Sequence, residues 1–207
     1  MKKWIVDLCL GFTKITGILP ALLFYKPRVR LAGNARRNLP APAILVSNHC
    51  SLLDFPLYLI VFPFRSIRFL MAEVLFGKNK FFSVFLSCLG GIKVDRDTHN
   101  FGFVSDAIEI LDKGGVLGIF PEGRLPVGGK PFPFTVSTAF IATHADAPII
   151  PVYTDGNYGL FKRAGVVIGE PIVLSDHCKE GLSEQEQLAY LTEFLRTTVY
   201  SLKEELK

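Results

Sequence analysis

Paired cysteines are the first thing this chain lacks. Its four cysteines, Cys9, Cys50, Cys88 and Cys178, show no C-x-x-C spacing. So scattered a set builds neither a disulfide frame nor a zinc site, so free thiols in a reducing compartment are expected. There is no P-loop, and the Gly-Gly pairs lack the spacing of a dinucleotide fingerprint, which argues against nucleotide chemistry. No G-x-S-x-G elbow occurs and no serine–histidine pair stands out, which argues against a soluble hydrolase. No metal-ligand cluster, internal repeat or aromatic-basic ladder is visible, so neither a metal nor a nucleic acid is expected as a partner. A clean membrane span is missing too. The nearest segment, Trp4 to Tyr25, is interrupted by Asp7, Lys14 and Pro20, whereas a single span needs about 20 mostly uncharged residues.

Acidic residues are scarce at one end only. Through Arg37 the chain carries eight basic residues against Asp7 alone, while the net charge of the whole is +4, so the remainder is slightly acidic. Apolar residues make up 49% of the 207 positions and mean hydropathy is +0.34. That is enough for a sizeable core, with a surplus that must face lipid, a ligand tunnel or a partner. A basic, apolar N-terminus points to an anionic membrane surface. Residues 1–27 are therefore expected to form one or two short helices lying in the membrane interface. A buried core helix or an uncleaved signal-like segment are the alternatives. Residues 28–207 are expected to form the folded domain.

Along that domain, strands alternate with helices. Arg28-Val29-Arg30-Leu31 reads as an edge strand, Ala43 to Val46 as a short buried strand, and Phe55 to Val61 as a helix. Further strands are expected at Arg68–Met71, Gly91–Val94, Val116–Phe120, Ile149–Tyr153, Val166–Ile168 and Ile172–Leu174. Helices are expected at Phe81–Leu86, as core or tunnel wall, and at Asn100–Lys113, Thr135–His144 and Glu184–Lys207. The alternation predicts a layered α/β domain with a central mixed, largely parallel sheet.

Polar residues with chemistry fall at strand ends. His49 sits between a strand and a helix, and Asp54 follows five residues later. A carboxylate there fixes the imidazole tautomer and leaves the other ring nitrogen free as a base. Ser51-x-x-Asp54 also reads as a helix capping box, and Asn48 as a turn residue. Arg96 lies just past the strand Gly91–Val94 and suits a phosphate or carboxylate clamp, or pairs with Asp95 or Asp97 on the surface. Glu122, between Pro121 and Gly123, is placed to accept hydrogen bonds from a polyol, to pair with Arg124, or to stand solvated in a loop.

In order and spacing, Asn48-His49-x4-Asp54, Val94-Asp95-Arg96, Phe120-Pro121-Glu122-Gly123 and Ile149-Ile150-Pro151-Val152 resemble the four blocks of the glycerolipid acyltransferase family. Gly169-Glu170-Pro171-Ile172 is similar to its closing hairpin. The resemblance implies an αβ acyltransferase fold acting on the cytoplasmic membrane face, peripheral or monotopic. It implies acyl transfer from acyl-CoA or acyl carrier protein, as co-substrate, to a lysophospholipid hydroxyl. Acylation of 1-acylglycerol-3-phosphate to phosphatidic acid is the leading case. It implies His49 as general base oriented by Asp54, Arg96 and Glu122 as head-group contacts, Gly123 as the shaper of that loop, and Pro151 as donor-side wall. Asn48 and Arg124 join the substrate-binding set by position in the blocks. The chain departs from the family where Arg124 follows Gly123 directly, where Pro133-Phe134 lacks the usual Lys and Gly after it, and where no Lys precedes Glu73-Val74-Leu75-Phe76. These departures leave open another lysolipid, a non-phosphate head group, or a lipid-binding homologue with little activity. Cys50, beside His49, is a rival nucleophile.

Overall fold

The computed structural model describes residues 3–77, 79–94 and 102–207. In chain order the elements are α1 (Lys3–Tyr25), β1 (Arg28–Leu31), β2 (Ala43–Ser47), α2 (Asp54–Val61), β3 (Ile67–Ala72), α3 (Glu73–Gly77), α4 (Lys80–Cys88) and β4 (Gly91–Val94). They continue with α5 (Gly102–Asp112), β5 (Val116–Ile119), α6 (Val136–His144), β6 (Ile149–Thr154), β7 (Gly165–Ile168) and α7 (Glu184–Ser201). The strands form one seven-stranded sheet in the order β1-β7-β6-β2-β5-β3-β4. Among the described residues the β6–β7 pair alone is antiparallel; the other pairs are parallel.

The central strands are apolar throughout because helices cover both faces. Every residue of β2, β5, β6 and β7 is buried. Alternation within β2 divides the core in two. Ala43 and Leu45 pack with Leu57, Tyr58 and Val61 of α2 and Leu86 of α4. Ile44 and Val46 pack with Ala107 and Leu111 of α5, Ala139 and Ile141 of α6, and Leu191, Leu195 and Val199 of α7. Each fully buried aliphatic side chain contributes about 1.5–3 kcal/mol relative to exposure.

The N-terminal helix packs on the α2 side, where Leu10 is buried against Leu59 and Leu89. Pro20 lies inside it, and the two parts Asp7–Gly17 and Leu19–Tyr25 meet at 65°. A proline in a helix interior removes a backbone donor and clashes with the preceding turn, which accounts for the bend. Among the described residues no single helix is long and apolar enough to cross a membrane, although this bent pair passes on length and composition together.

Three sequence expectations need correction. Ile172–Leu174 is not a strand: Ile172 makes one isolated bridge to Ile149, and a 3-10 turn begins at Leu174. Only Ile172 lies alongside a free segment of β6, whose partner on that side is already β7. Phe81, Phe82 and Phe85 are not core; they are exposed, Phe81 at 87%, because the buried face of α4 centres on Leu86. The C-terminal helix ends at Ser201 and tightens into a 3-10 turn, Leu202–Leu206. Its start is as expected, fixed by a capping box between Ser183 and Glu186.

Candidate active site

Register explains why distant residues meet. Val46 of β2 lies opposite Ile119 of β5, and Ser47 lies opposite Val152 of β6. The three strands are parallel and finish at one edge of the sheet. The residues at and just past their ends, Asn48-His49, Phe120-Pro121-Glu122 and Thr154-Asp155, are therefore gathered there, at the edge where ligands of open α/β sheets bind.

His49 is held on three sides. Its Nδ1 lies 2.7 Å from Asp54 Oδ2, its ring stacks on Phe120 with centroids 4.3 Å apart, and its backbone N–H donates to Glu122 Oε1 at 3.0 Å. Its side chain keeps 15% of its surface exposed, whereas that of Asp54 keeps none. With Nδ1–H directed at a carboxylate, Nε2 carries the lone pair. Phe120 is in turn stacked on Phe69. That ring lies over β5 at Gly118, where any Cβ would approach it to 2.3 Å.

Asp54 is the first residue of α2, and the residue before it makes no side-chain cap. Ser51 is therefore not the N-cap and the expected capping box does not form. The carboxylate instead folds back over the entering turn. Oδ2 accepts from Cys50 N at 2.7 Å and Ser51 N at 2.9 Å, besides His49. Oδ1 accepts from the Tyr158 hydroxyl. Its position at a helix N-terminus suits a negative charge.

Asn48 is taken up by the scaffold. Its Oδ1 accepts from Thr154 N at 2.8 Å and its Nδ2 donates to Thr154 O at 2.9 Å. This clamp ties the end of β2 to the end of β6, so the amide is not presented to a substrate. Cys50 faces the same strand end, with Sγ 3.5 Å from Thr154 O. Burial, then the charges of Asp54, Glu122 and Asp155, push its thiol up to about 12. A thiol held protonated at neutral pH is a poor nucleophile.

Glu122 is buried and is not paired with Arg124. Its Oε1 accepts from His49 N and from Tyr200 Oη of α7 at 2.8 Å, while Oε2 is buried with no hydrogen-bond partner. Burial and the Glu122 bond both raise the Tyr200 pKa, so the phenol stays a donor. Gly123 closes the turn, its N–H donating to Phe120 O at 2.9 Å. Its φ of +66° lies in the left-handed region that favours glycine. Arg124 is exposed beside it. Pro151 lies within β6 opposite Val46, packed where Gly169 leaves room for its ring; it is a sheet residue here, not one of the edge groups. Arg96, with Asp95 and Asp97, lies outside the described residues.

Sequence reading missed Tyr158, Tyr200, Thr154 and the Phe120 stack. The available signal was position: Thr154 to Tyr158 directly follow a central strand, the place where the other site residues had been sought. Tyr200 carried no such signal, because it reads as one more residue on a helix stripe. A cavity of about 700 Å³ lies elsewhere, among Arg68, Gly90, Gly114 and Val116. Those residues begin strands, so it opens at the opposite edge of the sheet from His49.

Fold and site together define an α/β acyltransferase. The Acyltransferase family model matches residues 28–155, more than half of the chain, and the chain belongs to that family. It is 28% identical over 179 residues to the 1-acyl-sn-glycerol-3-phosphate acyltransferase of Bacillus subtilis, covering 83% of this chain and 87% of that protein. It is 28% identical over 130 residues to the human 1-acyl-sn-glycerol-3-phosphate acyltransferase beta, covering 62% of this chain but only 47% of the human protein. The crystal structure of the 1-acyl-sn-glycerophosphate (LPA) acyltransferase PlsC of Thermotoga maritima is similar with a TM-score of 0.61 and 25% identity, covering 97% of this chain and 79% of that one.

Proposed function

We propose that this chain transfers a fatty acyl group from a thioester, acyl-CoA or acyl carrier protein, to the free hydroxyl of 1-acylglycerol-3-phosphate. The observation that carries the reading is the anchored His49–Asp54 pair, which leaves Nε2 as the unused nitrogen at the strand-end crevice. An alcohol is a weak nucleophile at neutral pH, so its proton must leave as it attacks. His49 Nε2 takes that proton while the hydroxyl oxygen bonds to the thioester carbonyl carbon. Asp54 stabilises the imidazolium that results. The tetrahedral adduct then expels the thiolate by breaking the C–S bond, and the imidazolium returns the proton to sulfur. Glu122 Oε2, buried and unpartnered, accepts a hydrogen bond from the acceptor's glycerol or head group.

The work takes place at a lipid surface. Trp4, Leu8, Phe12, Ile15 and Leu19 form one exposed apolar stripe on α1, and Phe81, Val84 and Phe85 expose another on α4. Apolar helix faces flanked by basic residues bind the membrane interface, which supports docking on the cytoplasmic face.

The test is a panel of lysolipids with one acyl donor, read by mass spectrometry. Diacyl product from 1-acylglycerol-3-phosphate, faster than from lysophosphatidylcholine, lysophosphatidylglycerol or monoacylglycerol, is expected. Product from another acceptor alone moves the head-group assignment, and thiol release from no acceptor contradicts the reading.

A further inference from the structure

The Asp54 oxygen that His49 does not use is held by a residue from a remote loop. Tyr158 donates its hydroxyl to Asp54 Oδ1, and its Oη lies 3.2 Å from Thr154 Oγ1. Its ring is set edge-on against Tyr25 at 5.4 Å. Tyr25 is the last residue of α1 and is itself fixed, its hydroxyl donating to Leu53 O at 3.0 Å and its carbonyl accepting from Ala164 N at 2.8 Å. The 155–164 loop is thus pinned between the end of the N-terminal helix and the acidic member of the dyad.

We propose that Tyr158 is a positioning residue for the acyl transfer: it locks the Asp54 carboxylate in the rotamer that holds His49 and sets how much negative charge the imidazole faces. The proposal rests on His49 serving as the base. Two features of the site support it. Oδ2 is already crowded by the imidazole and two backbone N–H groups, so the side-chain hydroxyl on Oδ1 is what fixes the carboxylate plane. Burial, then the Asp54 charge, raises the phenol's pKa, so the hydroxyl remains a donor across the working range.

The consequence has a sign. A hydrogen bond to a carboxylate withdraws part of its charge. Without that bond Asp54 faces the imidazole with more charge, the imidazolium is favoured, and neutral His49 requires a higher pH. In Tyr158→Phe, kcat is expected to fall about tenfold with the acceptor KM within about twofold, the loss of about one charge-assisted hydrogen bond. The acid limb of the kcat/KM profile is expected to move to higher pH, a shift that loosened packing alone would not produce. His49→Ala is run alongside. If His49→Ala is inactive while Tyr158→Phe keeps both the wild-type acid limb and kcat, the proposal is overturned and the base assignment stands. If His49→Ala turns over like wild type, the base assignment itself fails and the proposal with it. Should Tyr158→Phe not fold, 3-fluorotyrosine at position 158 tests the same bond in the full chain. A more acidic phenol donates more strongly and must move the acid limb down; an unmoved limb overturns the proposal.

Discussion

At the scale of single residues, the site turns on which groups are already occupied. Asn48 and Cys50 stand on either side of His49 in sequence, and both are turned to the β6 end by Thr154. Cys50→Ser is therefore expected to keep at least half of wild-type turnover. Iodoacetamide is expected to spare Cys50 at pH 8 while labelling the exposed Cys178. Because the Cys50 thiol is pushed up to about 12, its labelling should begin only as the pH climbs toward that value and the thiolate appears. Loss of activity in the serine variant, or rapid Cys50 labelling at pH 8, would contradict this. Glu122 is the opposite case, with one oxygen bonded and one free. Glu122→Gln preserves an acceptor for His49 N and Tyr200 but replaces the free oxygen with a donor. Its acceptor KM is expected to rise about tenfold, about 1.4 kcal/mol, and an unchanged KM would remove Glu122 from the acceptor site. Much of this was legible beforehand. His49 and Glu122 were singled out because each follows an apolar strand, and sequence order reports strand ends well; Asp54 was singled out by its spacing from His49. Asn48 was assigned to substrate because nothing in the sequence shows that Thr154, 106 residues away, binds its amide.

At the scale of elements, the strands were readable because their burial is nearly complete and their runs are short and apolar. The expected Ile172–Leu174 strand failed for a reason outside its own sequence: pairing needs an open neighbour, and topology supplies only one bridge there. Close approach between β3 and β5 was equally invisible. Gly118 looks like a weak point in a strand, yet Phe69 occupies the space its side chain would fill. Gly118→Ala is expected to cost about 1–3 kcal/mol by overpacking, read as a fall in melting temperature of roughly 2–12 °C for a chain of this size. Activity should fall with it, since Phe69 carries the Phe120 ring on which His49 rests. A melting temperature equal to wild type would show that the stack tolerates more than its geometry implies.

At the scale of the whole molecule, the N-terminal segment combines basic charge with exposed apolar residues. The chain's basic excess lies in the N-terminal segment, and the same segment exposes an apolar stripe beside that of α4. Replacement of Phe81 and Phe85 by Ser is expected to lower partition onto vesicles containing phosphatidylglycerol about tenfold or more, with melting temperature unchanged because both rings are already exposed. Equal partition would place the membrane contact elsewhere. The same arrangement brings α1 to the reaction centre, since its final residue backs the tyrosine that holds Asp54. A sheet edge that gathers His49, Glu122 and the end of α1 suits the proposed meeting of a water-soluble thioester with a membrane-borne alcohol. The central claim is that His49 removes the acceptor's proton. It is tested most directly by thiol release from acyl-CoA with 1-acylglycerol-3-phosphate in mixed micelles, comparing wild type with His49→Ala of matched melting temperature. The account predicts a loss of about 10²–10⁴-fold in kcat with little change in acceptor binding; turnover within a few-fold of wild type would contradict it.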